Sequence, residues 1–232
     1  MGLRKWENLP EFMKTSEVRE YYCILERKKV SIIIKRLFDF ILSLILLIFL
    51  AIPMIIIAIA IKKDSEGPIF YRQERVTMYG KIFRIHKFRT MVNNADKIGT
   101  NVTIQNDYRI TKIGEKLRGC RLDELPQIFD VMCGNMSFVG TRPEVIKYVK
   151  KYTPEMYATF LLPAGITSEA SIRYKDEADL LQSAEDVDYM YVEKVLPDKM
   201  RYNLKSVKEF GLLSDLKTMV RTILAVLGKK YN

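Results

Sequence analysis

Two adjacent carboxylates, Asp123 and Glu124, are the side chains in this sequence best suited to chemistry, because they lie in a segment rich in arginine. Guanidinium groups match phosphate oxygens bidentately, so an arginine cluster is typical of a diphosphate site. Carboxylates among cations stay ionised, and one of the two could attack phosphorus while the other holds Mg2+. The alternative is that both acids only complement the dipole of a helix that starts here. The cations expected around the pair are Lys87, Arg89, Arg109, Arg118, Arg121 and Arg142.

Several other kinds of catalytic site are disfavoured by what the sequence lacks. It has neither a P-loop nor a Rossmann glycine pattern, which argues against a P-loop kinase or a dinucleotide enzyme. The one histidine, His86, lies in an alternating, strand-like stretch, which argues against a histidine-based triad or metal site. Cys23, Cys120 and Cys133 have no paired spacing and fit reduced thiols in the cytosol.

The charge balance indicates an acidic partner. The chain has 232 residues, a net charge of +10 and a pI near 9.4. Phosphorylated substrates and anionic lipid fit this charge, whereas nucleic acid is disfavoured because no zinc-finger spacing or RNA-binding aromatic signature occurs. About 170 residues lie outside the N-terminal and apolar segments, which is enough for one domain with its own core.

One apolar segment predicts contact with a membrane. Phe40 to Ile61 contains 22 residues without a charge, and as a helix it would measure about 33 Å. Because cytoplasmic flanks carry the excess of Lys and Arg, basic residues at both ends predict a re-entrant segment that bends at Pro53 and returns to the same face. A spanning helix that tolerates its proline is the alternative. The basic flanks consist of Lys28, Lys29, Lys35 and Arg36 on one side and Lys62 and Lys63 on the other.

The remaining patterns predict short elements. Ile69 to Tyr71 and Lys81 to Phe88 are expected to form strands joined by a hairpin around Tyr79 and Gly80. The last expected helix, capped by Ser214 and stopped by Gly228, has an apolar face that fits either the domain core or the bilayer surface. The other expected helices are Ile113 to Leu117, Asp123 to Met132, Pro143 to Tyr152, Pro154 to Leu161, Glu177 to Leu181, Val187 to Val195 and Asp198 to Phe210.

An ordered series of motifs resembles the bacterial sugar transferase family, the monotopic phosphoglycosyl transferases. The resemblance runs from about Lys35 to Ile166. It is carried by KRLFD from Lys35, DSEGPIFYRQER from Asp64, KFRTM from Lys87, DYRIT from Asp107, LDELPQ from Leu122, MSFVG from Met136, and Arg142-Pro143. Departures include Ile52 before Pro53, where the family usually has Ser, Thr141 before Arg142, and Asp130 in place of Asn.

The resemblance implies a reaction and its residues. Members of this family move a sugar-1-phosphate from a UDP-sugar to polyprenyl phosphate and thereby initiate glycoconjugate assembly. By this likeness, Asp123 attacks the sugar-bearing phosphate, UMP leaves, and the lipid phosphate then takes the phosphosugar from the enzyme. Glu124 would help to hold Mg2+, and the arginine cluster would bind the phosphates. The rival interpretations are a membrane-anchored glycosyltransferase that releases UDP and a non-catalytic membrane adaptor.

We therefore expect an α/β, helix-rich domain with a small sheet, on the cytoplasmic face of the bacterial inner membrane. Residues 1–34 are expected to lie on the membrane surface, residues 35–63 to form the re-entrant helix, and residues 64–232 to form the catalytic domain. The chain resembles the minimal type of the family, without a run of extra N-terminal membrane helices. The sequence leaves the sugar open, and the oligomeric state too, with a homodimer among the alternatives.

Overall fold

The computed structural model describes residues 2–95, 107–174, 177 and 186–228. It contains α1 (Ser16–Glu26), α2 (Lys29–Asp64), β1 (Phe70–Val76), β2 (Ile82–Phe88), α3 (Lys112–Gly119), α4 (Gln127–Met132), β3 (Met136–Val139), α5 (Ile146–Val149), β4 (Ala164–Thr167), α6 (Glu169–Arg173), α7 (Val187–Met190), α8 (Leu196–Lys208) and α9 (Leu212–Val226). The fold is helix-rich with two small sheets, as the sequence predicts. Short 3₁₀ turns cover Trp6–Asn8, Glu11–Met13, Met78–Gly80, Leu122–Glu124 and Glu155–Leu161, and a π turn covers Tyr191–Val195.

The predicted hairpin is confirmed. Strands β1 and β2 pair antiparallel, with Phe70 opposite Phe88 and Val76 opposite Ile82. The chain reverses through left-handed backbone at Tyr79 and Gly80 (φ 59° and 74°). Gly80 is required there for a second reason, because an added Cβ would lie 2.7 Å from the ring of Phe12.

A second sheet was not expected from the sequence. Strands β3 and β4 pair in parallel, with Met136 opposite Ala164 and Val139 opposite Thr167. Each strand has only four residues, and no tight turn joins them, so neither carries the alternation or turn signal that marks the first hairpin.

The N-terminal segment belongs to the domain core. Met13, Val18 and Leu25 are fully buried, and they share a hydrophobic cluster with Phe160 and Leu204 from distant parts of the chain. The expectation that residues 1–34 lie on the membrane surface stays a prediction, and the described contacts show that this segment also packs on the domain. The apolar residues of α1 recur at helical spacing and find their partners within the domain.

Helix α2 contains the apolar segment and runs for 36 residues through Pro53. Leu42 and Leu46 pack on the cluster around β3, whereas Met54 and Ile61 pack on the cluster that contains Phe88. Both halves of the helix therefore contact the same domain. The middle of the helix also has an exposed apolar surface, where Ile48, Phe49, Ile52 and Ile56 are 69%, 74%, 71% and 62% accessible. The bend at Pro53 stays a prediction.

Several helix boundaries differ from those expected. The helix predicted over Asp123 to Met132 is divided into the 3₁₀ turn Leu122–Glu124, which follows left-handed backbone at Arg121 (φ 57°), and α4, which begins after Pro126. The helix predicted over Pro143 to Tyr152 is reduced to the four residues of α5.

The C-terminal helices also differ in detail. Gly211, rather than Ser214, is the N-cap of α9, and Gly228 (φ 99°) follows the helix end as expected. The helix predicted over Glu177 to Leu181 lies, apart from Glu177 itself, outside the described residues.

Candidate active site

A pocket of about 510 Å³ lies between the hairpin and the segment around α3. Five of the residues predicted from the sequence line it, and they are Lys87, Arg89, Arg109, Arg118 and Asp123. Glu124 and Arg142 lie beside it, because Glu124 Oε1 accepts hydrogen bonds from Lys87 Nζ at 2.8 Å and from Arg142 Nη2 at 2.6 Å. Arg121 is exposed and is not among the described lining residues.

Glu124 is held as an anion. Burial alone would raise the pKa of this carboxyl, but the nearby charges of Arg142 and Lys87, and the hydrogen bonds that both donate, hold it well below its usual range. The pKa of Lys87 is lowered by its burial, with Glu124 acting against that shift. The expectation of a carboxylate kept ionised by cations therefore describes Glu124 well.

Asp123 lies next to Glu124 but has a different environment. The side chain is 9% exposed, and no hydrogen-bond donor among the described residues contacts its carboxylate. Burial raises its pKa, and Glu124 raises it further, whereas Lys87, Arg118 and Arg142 act in the opposite direction. Among the described residues, the site thus contains one carboxylate bound to two cations and one that accepts no hydrogen bond and lines the pocket.

Helix α3 positions Arg118 against the end of the hairpin. The Thr111 hydroxyl caps the helix by accepting from the backbone N–H of Gly114 at 3.0 Å. Gly114 lies close to Thr90, two residues after the end of β2, so an added Cβ would be 2.0 Å from the carbonyl oxygen of Thr90. One turn later, Arg118 Nε donates to the Thr90 hydroxyl at 2.8 Å.

Two of the predicted phosphate ligands have protein partners instead. Arg109 binds the Asp107 carboxylate, with Nη2 to Oδ2 at 2.6 Å, and both side chains are buried. Arg89 donates to the backbone carbonyls of Ser65 at 2.6 Å and Glu66 at 2.5 Å, at the C-terminal end of α2. Their phosphate-binding role stays a prediction, and the contacts observed here are structural.

Sequence reasoning assigned no role to three residues of β1 that line the pocket. Tyr71, Gln73 and Arg75 alternate along the strand, so they share one face of the hairpin. The signal was present, because all three belong to the DSEGPIFYRQER motif and the period of two identifies a common face.

His86 has the structural role expected for it. Its backbone N–H donates to Asp130 Oδ2 at 2.8 Å, and its Nδ1 lies 2.9 Å from Oδ1 of the same carboxylate. These contacts attach α4 to β2 beneath the dyad. Asp130 is fully buried, so the carboxylate at this position joins two elements.

The described residues contain no group of three His, Cys, Asp or Glu side chains placed to hold a metal ion. Mg2+ usually keeps several water ligands and takes only one or two carboxylates together with substrate phosphates. Glu124 fits that pattern, because both of its described donors contact Oε1 and leave Oε2 without one.

Several known proteins are similar in sequence to this chain. The UDP-glucose:undecaprenyl-phosphate glucose-1-phosphate transferase of Klebsiella pneumoniae is 34% identical over 200 residues, which cover 84% of this chain and 40% of that protein. The UDP-N-acetylgalactosamine-undecaprenyl-phosphate N-acetylgalactosaminephosphotransferase of Aeromonas hydrophila is 32% identical over 198 residues, covering 84% of this chain and 44% of that protein. An exopolysaccharide production protein, PSS, of Rhizobium leguminosarum is 36% identical over 150 residues, covering 62% of this chain and 75% of that protein.

The chain thus spans less than half the length of the first two relatives. A family model described as bacterial sugar transferase matches residues 30–229, which include the whole pocket, the dyad and all of α2 except Lys29. This chain belongs to the bacterial sugar transferase family.

Proposed function

We propose that the protein transfers a sugar-1-phosphate from a UDP-sugar to undecaprenyl phosphate and releases UMP. The observation that carries this proposal is the asymmetry of the dyad, in which Glu124 is neutralised by two cations and Asp123 has no hydrogen-bond donor among the described residues. The names of the relatives support the substrate classes. Those names differ in the sugar, so the proposal leaves the sugar open.

The transfer proceeds in two displacements. An oxygen of the Asp123 carboxylate attacks the sugar-bearing phosphorus, an aspartyl O–P bond forms, and the bond to the bridging oxygen breaks as UMP leaves with the electron pair. A phosphate oxygen of the lipid then attacks the same phosphorus and displaces the Asp123 carboxylate unchanged. An anionic nucleophile can approach an anionic phosphate here because Lys87, Arg118 and Arg142 add positive charge beside Asp123.

Mg2+ belongs to the proposal as the cofactor. Glu124 would hold it through Oε2, and Asp123 lies next in sequence. When bound, the ion would neutralise charge on the diphosphate and the leaving UMP. Lys87 and Arg142 orient Glu124 through its other oxygen, so the carboxylate needs no large rearrangement to accept a metal.

Covalent labelling tests the proposed intermediate. Incubated with a UDP-sugar labelled in the β-phosphate, Mg2+ and no lipid, the enzyme should acquire label and release UMP. Added undecaprenyl phosphate should then discharge the label. Asp123→Asn should abolish labelling, because an amide is a poor nucleophile. Asp188→Asn is a matched control, since Asp188 pairs with Lys147 and Tyr148 away from the pocket.

The alternative outcomes separate the rival reactions. UMP that forms only when lipid and nucleotide sugar are both present, without label on the protein, would mean a direct displacement. Release of UDP instead of UMP would mean a glycosyltransferase. If no product forms with any UDP-sugar in a panel, the result would favour the interpretation of the protein as a non-catalytic membrane adaptor.

We also propose that α2 enters the membrane and returns to the cytoplasmic face. One apolar helix, Lys29–Asp64, is long enough to cross a bilayer, yet both of its halves pack on the same domain. At its start Arg36 donates to the carbonyl of Met136 at 2.8 Å, and at its end Arg89 binds Ser65. A crossing helix would have to break one of these two attachments. Helix α9 adds an exposed apolar face, with Leu213 84% and Leu227 77% accessible, which fits docking on the same membrane surface.

Cysteine accessibility tests this topology. Cys23 is exposed before α2, and Lys63 is exposed near its end. In a background without Cys120 and Cys133, Cys23 and Lys63→Cys should both resist an impermeant thiol reagent in intact cells and react after lysis. Labelling of one site alone in intact cells would mean that α2 spans the membrane.

A further inference from the structure

The cations of the pocket differ in what neutralises them. Arg109 is bound to a carboxylate of its own, and Lys87 and Arg142 share Glu124. A phosphate that binds any of these three must compete with a carboxylate already present. Arg118 is different, because its described hydrogen bond is to the Thr90 hydroxyl, and the described residues provide it with no ion pair.

Arg75, on β1, belongs with Arg118. It lines the pocket, and the described residues hold it through neutral acceptors only. Its Nε and Nη2 donate to Gln73 Oε1 at 3.1 and 2.6 Å, and its Nη1 donates to the carbonyl of Pro143 at 3.1 Å. A guanidinium has five N–H groups, so these three contacts leave two for a ligand.

No carboxylate among the described residues forms an ion pair with Arg75. Burial lowers the pKa of its guanidinium, and the approach of Arg142 lowers it further, whereas Glu144 acts in the opposite direction. The described contacts of the Glu144 carboxylate are with other residues, since its Oε1 accepts from the Tyr191 hydroxyl at 2.7 Å and lies 3.9 Å from Lys199 Nζ. A largely desolvated cation without a bound carboxylate is unfavourable, and an anionic ligand in the pocket would remove that cost.

We propose that Arg75 binds a phosphate of the diphosphate in the nucleotide substrate, and that Gln73 is the positioning residue that presents its fork to the pocket. The inference rests on the proposed function, and it supplies a ligand that sequence reasoning did not assign. Gln73 suits this role because its amide oxygen fixes two nitrogens of the fork without cancelling the charge. Among the described residues Arg75 and Arg118 form no ion pair, so they give two guanidinium groups for a ligand with two phosphates.

Binding of UDP to the full chain in detergent, with Mg2+ and no lipid, tests the inference by isothermal titration calorimetry. Arg75→Gln should weaken binding roughly ten- to hundredfold, the range for one lost charged hydrogen bond. Gln73→Glu should weaken it by about tenfold or more, because a carboxylate would neutralise Arg75 as Asp107 neutralises Arg109. Arg84→Gln is the matched control, since Arg84 lies on the same hairpin, is exposed, and contacts Glu74 at 3.6 Å.

Uridine, which lacks phosphates, serves as the second ligand. Ligand-detected NMR should show that wild-type protein and the Arg75→Gln variant bind it alike, and thermal unfolding should show that the variant is folded. An equal loss for uridine and UDP would overturn the inference, as would wild-type affinity for UDP in both the Arg75→Gln and Gln73→Glu variants. Failure of the wild-type protein to bind UDP at all would instead refute the proposed function.

Discussion

The substitutions Glu124→Gln and Asp123→Asn should change the stability of the protein in opposite directions. Glu124 Oε1 accepts from Lys87 and Arg142, and the carboxylate is largely buried. Glu124→Gln removes the charge shared by these two cations. Removing one partner of a buried ion pair costs about 3–5 kcal/mol. At about 2–4 °C per kcal/mol for a protein of this size, the unfolding midpoint should fall by roughly 6–20 °C.

Asp123→Asn should raise the midpoint at neutral pH. The Asp123 carboxylate has no donor among the described residues, and burial raises its pKa, so its ionised form is destabilised in the folded protein. An uncharged amide of nearly the same shape avoids that penalty. The residue proposed as the nucleophile is therefore expected to reduce stability, as groups at functional sites often do.

The pH dependence of each effect follows from the direction of the pKa shift. The folded-state pKa of Glu124 lies well below 4.5, so its stabilisation is fully present above about pH 4.5 and is lost as the pH falls further. The folded-state pKa of Asp123 lies above 3.8, so its penalty is present at neutral pH and disappears as the pH falls through that raised value. The gain from Asp123→Asn should therefore vanish in acid before the loss from Glu124→Gln does.

Thermal unfolding in detergent between about pH 4 and 8 measures both effects. Glu74→Gln is the control, because Glu74 is exposed and pairs with Arg84 at 3.6 Å, a surface contact worth at most about 1 kcal/mol. Midpoints that shift in the same direction for the two dyad variants would refute the asymmetry. Equal losses from Glu74→Gln and Glu124→Gln would show that the contacts of Glu124 contribute no more than a surface pair.

Two further variants test how the site is positioned. Gly114→Ala should destabilise the protein by about 1–3 kcal/mol and lower activity, because the new Cβ would meet the Thr90 carbonyl at 2.0 Å. Gly119→Ala in the same helix, where nothing lies within 4 Å, should not destabilise it, and equal effects of the two changes would contradict the packing argument. Arg89→Ala should lower the free energy of unfolding by at least about 1.5 kcal/mol, because it removes charged hydrogen bonds at the end of α2. Chemical denaturation should show a smaller loss for the exposed Arg72→Ala, whose described contact is to one carbonyl.

The sequence was sufficient for features that depend on local pattern. The hairpin followed from alternating residues around Tyr79 and Gly80, and α2 followed from an uninterrupted apolar run. The association of Asp123 with Lys87 and Arg118 followed from the motif series. In each case, short-range spacing or an ordered set of motifs carried the information.

Features that depend on distant contacts were not predictable in this way. The parallel pairing of β3 with β4 joins residues 28 positions apart, since Met136 pairs with Ala164, and no local signal specifies it. The burial of α1 depends on partners near residues 160 and 204. The difference between the two dyad carboxylates was also hidden, because it depends on which of them Arg142 reaches.

The stretch from Lys87 to Thr90 shows how a motif assigned to one role can serve several. Sequence reasoning treated its two cations as phosphate ligands, but in the structure each of its four residues has a separate contact. Lys87 binds Glu124, Phe88 packs in the cluster with Met54 and Ile61 of α2, Arg89 binds the carbonyls at the end of α2, and Thr90 accepts from Arg118. One short segment therefore joins the apolar helix, the dyad and Arg118 of the pocket. Because these contacts are at adjacent positions on one chain, a shift of α2 relative to the domain would also move the groups that orient Glu124 and Arg118.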